Sequence, residues 1–472
     1  MKKRILSLFT AGLFLVTTGC SQAAGYEDFY IPEQPASSLE LVSDAYRTEL
    51  TAYEDNGIPD TCLETFASDD SVCEIRQMEH YYDVTIHYEG HTPSEAGKAY
   101  AQAAIKAFPE FHTIIEPYLY ENIMLAFPAV MDDFTSVEER VTCLAESLRP
   151  DQKEELFSFA EELSDGLHGF AEDGHISYEE AITSNLIPEA LRGTACSALS
   201  LWGKKTENGD MIATRFLDWS LGSENQMCML HAVIHADKGD RSYTGISFLG
   251  FCSLISAIND DGVFAAILDV GSYDEKYVYK DRKCYTYELR YALETYDSAR
   301  SVGKFMVDSS DTFTYSHQIY VADGKETFCA EDAVAGLQKS GKGYSVLRDS
   351  STPLQDVIHW DNPDSLCVVN SFAAKGNQDL FTGSSSNHVR FCKYNEWVAA
   401  EDRFTVGELK SAITREQVNL GVKESEPDVM NIRNRGTSQI IIVDYHTGRI
   451  QVSFTSPNGP SDDVIFTDIG HF

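Results

Sequence analysis

Gly193-Thr194-Ala195-Cys196-Ser197-Ala198-Leu199-Ser200, followed by Arg215-Phe216-Leu217-Asp218-Trp219, is the stretch whose reading decides the fold. Small residues lead up to a cysteine that opens an alternating run. The runs 196–203 and 210–217 are both strand-like, and the segment between them (Lys204-Lys205-Thr206-Glu207-Asn208-Gly209-Asp210) is rich in turn formers. A hairpin over that turn brings Arg215 and Asp218 back beside Cys196. A thiol is a good nucleophile only as thiolate, and a neighbouring guanidinium favours that form.

Outward from the hairpin, short apolar runs bounded by Gly, Asn or Asp read as strands at 229–236, 243–249, 263–270, 315–322, 366–370, 438–445 and 449–454. Helical periodicity appears at 286–308 and near 407–414, while 340–365 and 373–386 are polar and read as loops. Upstream, residues from about 39 to 191 read mainly as helices, interrupted by one β-like stretch, Tyr81 to Tyr88. Thr92-Pro93-Ser94-Glu95 is a helix start. Asp173-Gly174-His175 followed by Glu180 looks like half of a calcium loop. Gly169 and Ala171 occupy its first ligand positions and supply no side-chain oxygen, so a loop and a helix N-cap at Ser177 are expected. Bundled strands separated by paired helices imply a layered α+β body.

At the other end, Lys2, Lys3 and Arg4 precede a 12-residue apolar run, Ile5 to Val16, and Thr17-Thr18-Gly19-Cys20. The run is too short to span a bilayer and reads as a secretory signal. Its small-small-Cys ending resembles the lipobox of bacterial lipoproteins. Lipidation of Cys20 would hold an exported protein on the outer side of a membrane. The alternative is ordinary signal cleavage near Ala23–Ala24. Residues 21–38 are polar and read as a tether.

The 472 residues carry 37 Lys+Arg against 74 Asp+Glu, a formal charge of −37, and Lys/Arg runs are missing after the start. That excludes a nucleic-acid-binding surface. The eleven cysteines include no C-x-x-C pair, which argues against a zinc ribbon. Cys62 and Cys73 flank an acidic loop and are candidates for a disulfide. His175, His231, His235, His388 and His446 show no metal-ligand spacing, so neither metal nor cofactor is expected.

The hairpin and its surroundings resemble the N-terminal-nucleophile cysteine amidohydrolases of the choloylglycine hydrolase, penicillin acyltransferase and acid ceramidase group. The resemblance covers roughly 196–455. After the cysteine and the R-x-x-D pair come Ile258-Asn259-Asp260-Asp261-Gly262-Val263 with Asp269, a two-helix stretch from Tyr287 to Met306, and the strand pair Tyr315 to Glu331. Val368-Val369-Asn370-Ser371-Phe372 and Gly383 to Phe391 (GSSSNHVRF), which holds Arg390, complete it. Tyr88-Glu89-Gly90 with Glu95-Ala96-Gly97, and Ile176 to Leu191, are similar to the leading segment of the penicillin-acyltransferase-like branch.

The resemblance implies a four-layer αββα sandwich at 196–472, preceded by a helical pro-segment or α chain at 39–195. It implies a precursor cut between Ala195 and Cys196. The cut frees an α-amine whose ordinary pKa, about 7.7–8.0, suits proton transfer near neutral pH. Cys196 is then nucleophile and base in one, Arg215 lowers the thiol's pKa, and Asp218 orients the amine. Asn370 donates to the tetrahedral oxyanion, and Arg390 supports the site electrostatically. Asp269 stands where the group has a second donor. An ionised carboxylate would repel an oxyanion, so Asp269 is protonated there or a backbone N–H serves instead. The implied reaction is hydrolysis of a linear amide in a small N-acyl substrate. The alternatives are transfer of the acyl group to an amine such as a β-lactam nucleus, or a non-catalytic lipid-anchored binding protein. A homo-oligomer stays open. The aromatic stretch Phe248-Leu249-Gly250-Phe251 hints at an apolar acyl pocket.

Overall fold

The structure is a computed structural model that describes residues 53–126, 135–190, 194–270, 275–333, 337–338, 343–378, 381, 385–418, 432–434, 436–458 and 464–472. The expected signal, Cys20, the tether and the helix after Ser38 lie outside the described residues.

In chain order the strands are β1 (Cys62–Ala67), β2 (Cys73–Met78), β3 (Tyr82–His87), β4 (Thr194–Leu201), β5 (Ile212–Trp219) and β6 (His231–Asp237). There follow β7 (Tyr243–Phe248), β8 (Ser256–Asn259), β9 (Phe264–Asp269), β10 (Glu275–Lys276), β11 (His317–Ala322) and β12 (Thr327–Asp332). The last are β13 (Leu337–Gln338), β14 (Ser345–Arg348), β15 (Ser365–Val369), β16 (Thr437–Asp444), β17 (Arg449–Phe454) and β18 (Thr467–His471). The helices are α1 (Pro93–Ala107), α2 (Phe111–Ala126), α3 (Thr135–Glu146), α4 (Pro150–Ser164) and α5 (Tyr178–Asn185). Beyond them come α6 (Ile187–Ala190), α7 (Tyr285–Thr295), α8 (Ala299–Ser309), α9 (Ser385–Ala400) and α10 (Val406–Val418).

Two sheets carry the fold. One has ten strands in the order β1-β2-β3-β6-β7-β8-β9-β11-β12-β14; the other has six, β15-β4-β5-β16-β17-β18. Side-chain alternation in the six-stranded sheet shows how they stack. Ala198, Ala213, Leu217, Ile441 and Val443 share a core with the ten-stranded sheet. Their alternates Leu199, Ile212, Phe216, Ile440 and Ile442 pack instead with Phe391, Tyr394, Leu409 and Ile413 of α9 and α10. On the far side, α8 lies on β11, β12 and β14, and α1 lies on β1 to β3. The result is the expected α+β sandwich of four layers, αββα.

Local signals set several boundaries. Thr92 caps α1 in a reciprocal capping box with Glu95, with Pro93 in the first turn. Ser177 does the same for α5 with Glu180, as expected. Gly97 lets α1 come close to α4: a Cβ there would lie 2.1 Å from the Glu155 carbonyl oxygen.

Three expectations change. The upstream stretch is not mainly helical at 62–87, where β1 and β2 accompany β3. β1 is a sheet edge with four of its six residues exposed, so its sequence carries no alternation. β14 lies in a stretch that reads as loop. Cys62 and Cys73 are both free. In the β1–β2 register Cys62 pairs with Met78, while Ala67, at the other end of β1, pairs with Glu74. The two cysteines thus sit at opposite ends of a hairpin, and at about 3.3 Å per residue no disulfide can close that gap.

The leading segment is woven into the body. β3 pairs in parallel with β6, from Tyr82 with Ala232 to His87 with Asp237. Behind this seam the buried Arg290 of α7 donates to both carboxylate oxygens of Glu155 in α4, at 3.0 and 2.6 Å, and to Cys252 O at 2.9 Å. Without Glu155 the guanidinium would keep Glu294, which accepts from Nε at 2.9 Å, but would lose its bidentate buried acceptor. Glu155→Ala is therefore expected to cost about 3–5 kcal/mol in urea unfolding, and a loss below about 1 kcal/mol would mean that this pair does not hold the seam.

Candidate functional site

Register builds the site. β4 lies between β15 and β5, and Ser197 pairs with Val369 on one side and Phe216 on the other. Two residues earlier Ala195 pairs with Asp218, and just past the end of β15 Asn370 comes beside Cys196. Alternation then divides the functional groups. Cys196, Arg215 and Trp219 point between the sheets, and Asp218 points to the outer face, where α9 supplies Arg390.

On the inner face Arg215 Nη2 donates to Cys196 Sγ at 3.2 Å and to Ile267 O of β9 at 3.0 Å. At the strand's edge the Cys196 backbone N–H donates to Asn370 Oδ1 at 2.7 Å. Arg390 binds the same oxygen through Nη2 at 2.9 Å, and through Nη1 reaches Cys196 O and Asp218 Oδ2, each at 3.2 Å. Asn370 Nδ2 donates to the Asp269 backbone carbonyl at 2.6 Å. The structure therefore brings Cys196, Arg215, Asp218, Asn370, Arg390 and Asp269 together.

Their contacts differ in part from expectation. It is Asn370, not Asp218, that receives the Cys196 nitrogen. Asp218 is held by Arg390 and by Thr437 Oγ1, which donates to it at 2.6 Å. Asn370, expected as an oxyanion donor, spends its amide N–H on a carbonyl of β9. Asp269 enters through that backbone carbonyl.

The electrostatics also differ. Cys196 is fully buried, and burial pushes its thiol up to about 11 despite the Arg215 guanidinium. Burial likewise raises the Asp218 carboxyl, against the pull of Arg390 and Thr437, and lowers Arg215. The expected lowering of the thiol by Arg215 is present but outweighed. In the uncut chain Thr194 and Ala195 continue β4, so Cys196 lies inside a strand. The residues before it are tied down as well. Arg140 Nη1 donates to Ala190 O at 2.6 Å, and Tyr315 OH donates to Pro188 O. Glu189 accepts from the Thr286 N–H at 2.9 Å, and burial raises its carboxyl to about 7.

An apolar cavity lies beside Trp219, which pairs with Thr194 two residues before the cysteine. It is lined by Phe111, Ile115, Tyr118, Trp219 and Met227, with Phe248 to Phe251 completing its wall, and it is little larger than a water molecule. The Trp219 indole N–H donates to Tyr118 OH. The leading segment and the body thus build it jointly, and the aromatic stretch singled out in the sequence does line a cavity. Among the described residues, Asp60, Glu79 and His80 are grouped closely enough to hold a metal ion. They flank the β1–β2 hairpin and are exposed or half-buried. No helix among the described residues is long and apolar enough to cross a membrane.

Two contributors escape the sequence. Asn387 lies in the quoted stretch GSSSNHVRF, one helical turn before Arg390, and this i, i+3 spacing is the signal that could have found it. Thr437 opens β16 and reaches Asp218 only because β16 pairs with β5. No local pattern marks it.

No family model matches the sequence, and no curated protein matches it. Solved structures overlap part of the chain at low identity. An N-acylethanolamine-hydrolyzing acid amidase ortholog from Caenorhabditis elegans shares 13% identity over 53% of this chain and 92% of its own, with a TM-score of 0.33. A conjugated bile acid hydrolase mutant from Clostridium perfringens shares 11% over 58% and 92%, at 0.36. A penicillin V acylase from Agrobacterium tumefaciens shares 12% over 58% and 86%, at 0.35. At these scores the overlap says nothing about what the chain acts on.

A thiol raised to about 11 is protonated at pH 7–8 and ionises only as the pH nears that value. In the uncut chain iodoacetamide at pH 8 is expected to label the exposed Cys62 and to spare Cys196, read by peptide mass. Equal labelling of the two would contradict this burial.

Proposed function

We propose that the protein is a self-processed cysteine amidohydrolase acting on small N-acyl amides, of the N-terminal-nucleophile kind that its sequence resembles. One observation carries the reading. The sulfur and the backbone nitrogen of a single residue, Cys196, are each held by a separate polar group, Arg215 and Asn370.

Processing begins with attack of Cys196 Sγ on the Ala195 carbonyl. The C–N bond to Cys196 breaks, and water then splits the resulting thioester, leaving a free α-amine. With its strand extension gone, Cys196 becomes a chain end open to solvent. The amine takes the thiol proton, and Arg215 stabilises the thiolate. The thiolate adds to the substrate carbonyl, and the leaving amine departs with the proton held on the α-ammonium. Water, activated by the amine, releases the acid and restores the thiol. Asn370 holds the amine through Oδ1. Once Nδ2 turns from the Asp269 carbonyl, it serves the oxyanion, a role worth about 2.7–4 kcal/mol. Arg390 beside the amine disfavours its protonated form.

The leader supports an assignment of the substrate's sides. During processing the leader is itself the acyl group on the sulfur. A substrate acyl group entering from that side runs toward Trp219 and the apolar cavity. That wall has no ionisable group other than the Tyr118 phenol, so its chemistry favours an apolar acyl part over a charged one. Export with lipidation at Cys20 completes the proposal and places the enzyme on the outer side of a membrane.

Intact mass of purified protein is expected to show two fragments, one beginning at Cys196, and Cys196→Ala is expected to stay whole. In a panel of N-acyl amides with one amine and varied acyl groups, apolar chains should turn over and charged ones should not. Asn370→Ala should lower kcat by about 100–1,000-fold. Turnover that persists in Cys196→Ala would sink the reading.

A further inference from the structure

We propose that Asn387 is a positioning residue that sets the distance between the Arg390 charge and the Cys196 nitrogen; the proposal rests on the amidohydrolase reading. Asn387 is 9% exposed and lies in the first turn of α9. Its amide faces two ways. Oδ1 accepts from Arg390 Nη2 at 2.6 Å. Nδ2 donates to the Asn370 backbone carbonyl and to Ser371 Oγ, each at 2.8 Å. Arg390 Nη2 and the Cys196 N–H meet on one atom, Asn370 Oδ1. Asn387 therefore ties together, through one planar group, the cation and the loop that carries the amine's acceptor.

The geometry has an electrostatic consequence. A fixed guanidinium that shares an acceptor with the α-amine disfavours the protonated amine and keeps it a free base at lower pH. Arg390 is also held by Asp218 Oδ2, by Cys196 O and directly by Asn370 Oδ1, and Asn387 is the contact that braces this set, clamping Arg390 Nη2 to the backbone carbonyl of Asn370. If that contact is lost, the cation and the amine's acceptor drift apart. The amine's pKa then rises toward its ordinary value, and the acid limb of the pH–rate profile moves to higher pH. Misplacing the acceptor also slows the proton transfers without touching the apolar cavity, so kcat suffers and KM does not.

The test compares Asn387→Ala with wild type and with Asn395→Ala. Asn395 lies farther along α9 and bonds Asn362 and the Asp361 N–H. Processed protein is assayed on the best amide of the panel across pH, with thermal unfolding run alongside. Asn387→Ala is expected to lose up to about 100-fold in kcat, to change KM less than about three-fold, and to move the acid limb upward by a measurable fraction of a pH unit. Asn395→Ala is expected to lower the melting temperature and to leave the limb in place. Should Asn387→Ala fail to fold, Asn387→Asp keeps an acceptor for Arg390 and removes the donor to Asn370, and its kcat should fall at unchanged KM. The proposal is overturned if Asn387→Ala works within about two-fold of wild type with an unmoved limb, or if Asn395→Ala shifts the limb equally. Absence of any Cys196-dependent turnover in wild type would instead strike the amidohydrolase reading itself.

Discussion

The hydrogen bond from the Cys196 backbone N–H to Asn370 Oδ1 is the contact around which the rest of the site is organised. It exists because β4 is paired on both flanks, with β15 and with β5, in fixed registers. A slip of one residue would turn Cys196 to the outer face and break its contact with Arg215. A like slip of β5 would carry Asp218 inward, away from Arg390. Strand pairing thus does what a dedicated scaffold of side chains does elsewhere: it separates the sulfur from the nitrogen of one residue and gives each its own polar partner.

Charge is distributed with a clear asymmetry. The chain has twice as many acidic as basic side chains. Yet Arg215, Arg290, Arg348 and Arg390 are all buried. Two of them converge on Cys196, Arg290 joins the leading segment to the body, and Arg348 pairs with Glu331 beneath the loop that follows Asn370. Glu331 also accepts from the Ala373 N–H at 2.8 Å. A guanidinium can satisfy several carbonyl and carboxylate acceptors at once in a fixed plane, which suits it to such junctions. The acidity of the chain as a whole therefore does not describe the site, where two guanidiniums stand beside Cys196.

Some of this was legible in the sequence and some was not, for physical reasons. The hairpin 196–219 could be read because its partners are close in sequence and its turn residues are distinctive. The layered α+β body followed from bundled strands separated by paired helices, and its four layers from the resemblance. Asn370 and Arg390 were found by resemblance, but their partners depend on pairing between segments more than a hundred residues apart. In the continuous chain Asp218 is held by Arg390 and Thr437 instead. Thr437 was missed altogether. The lowering of the thiol by Arg215 is present, but a sequence displays the nearby cation and not the depth of burial, and here burial wins. β1 was missed because an exposed edge strand need not alternate, and the Cys62–Cys73 pairing failed because proximity in sequence says nothing about which end of a hairpin each residue occupies.

The parallel pairing of β3 with β6 joins residues that lie on opposite sides of the 195–196 bond. While the chain is continuous, that seam forms within one molecule, at the high effective concentration a tether supplies. Were that bond broken, as the proposed processing requires, rebuilding the seam would need two separate polypeptides to find each other, with three strands to insert at the correct edge. A nicked molecule that unfolds thus has no easy way home. Maturation in such an architecture would discard the instructions for assembly, leaving a product whose persistence is governed by its rate of opening rather than by an equilibrium it can revisit.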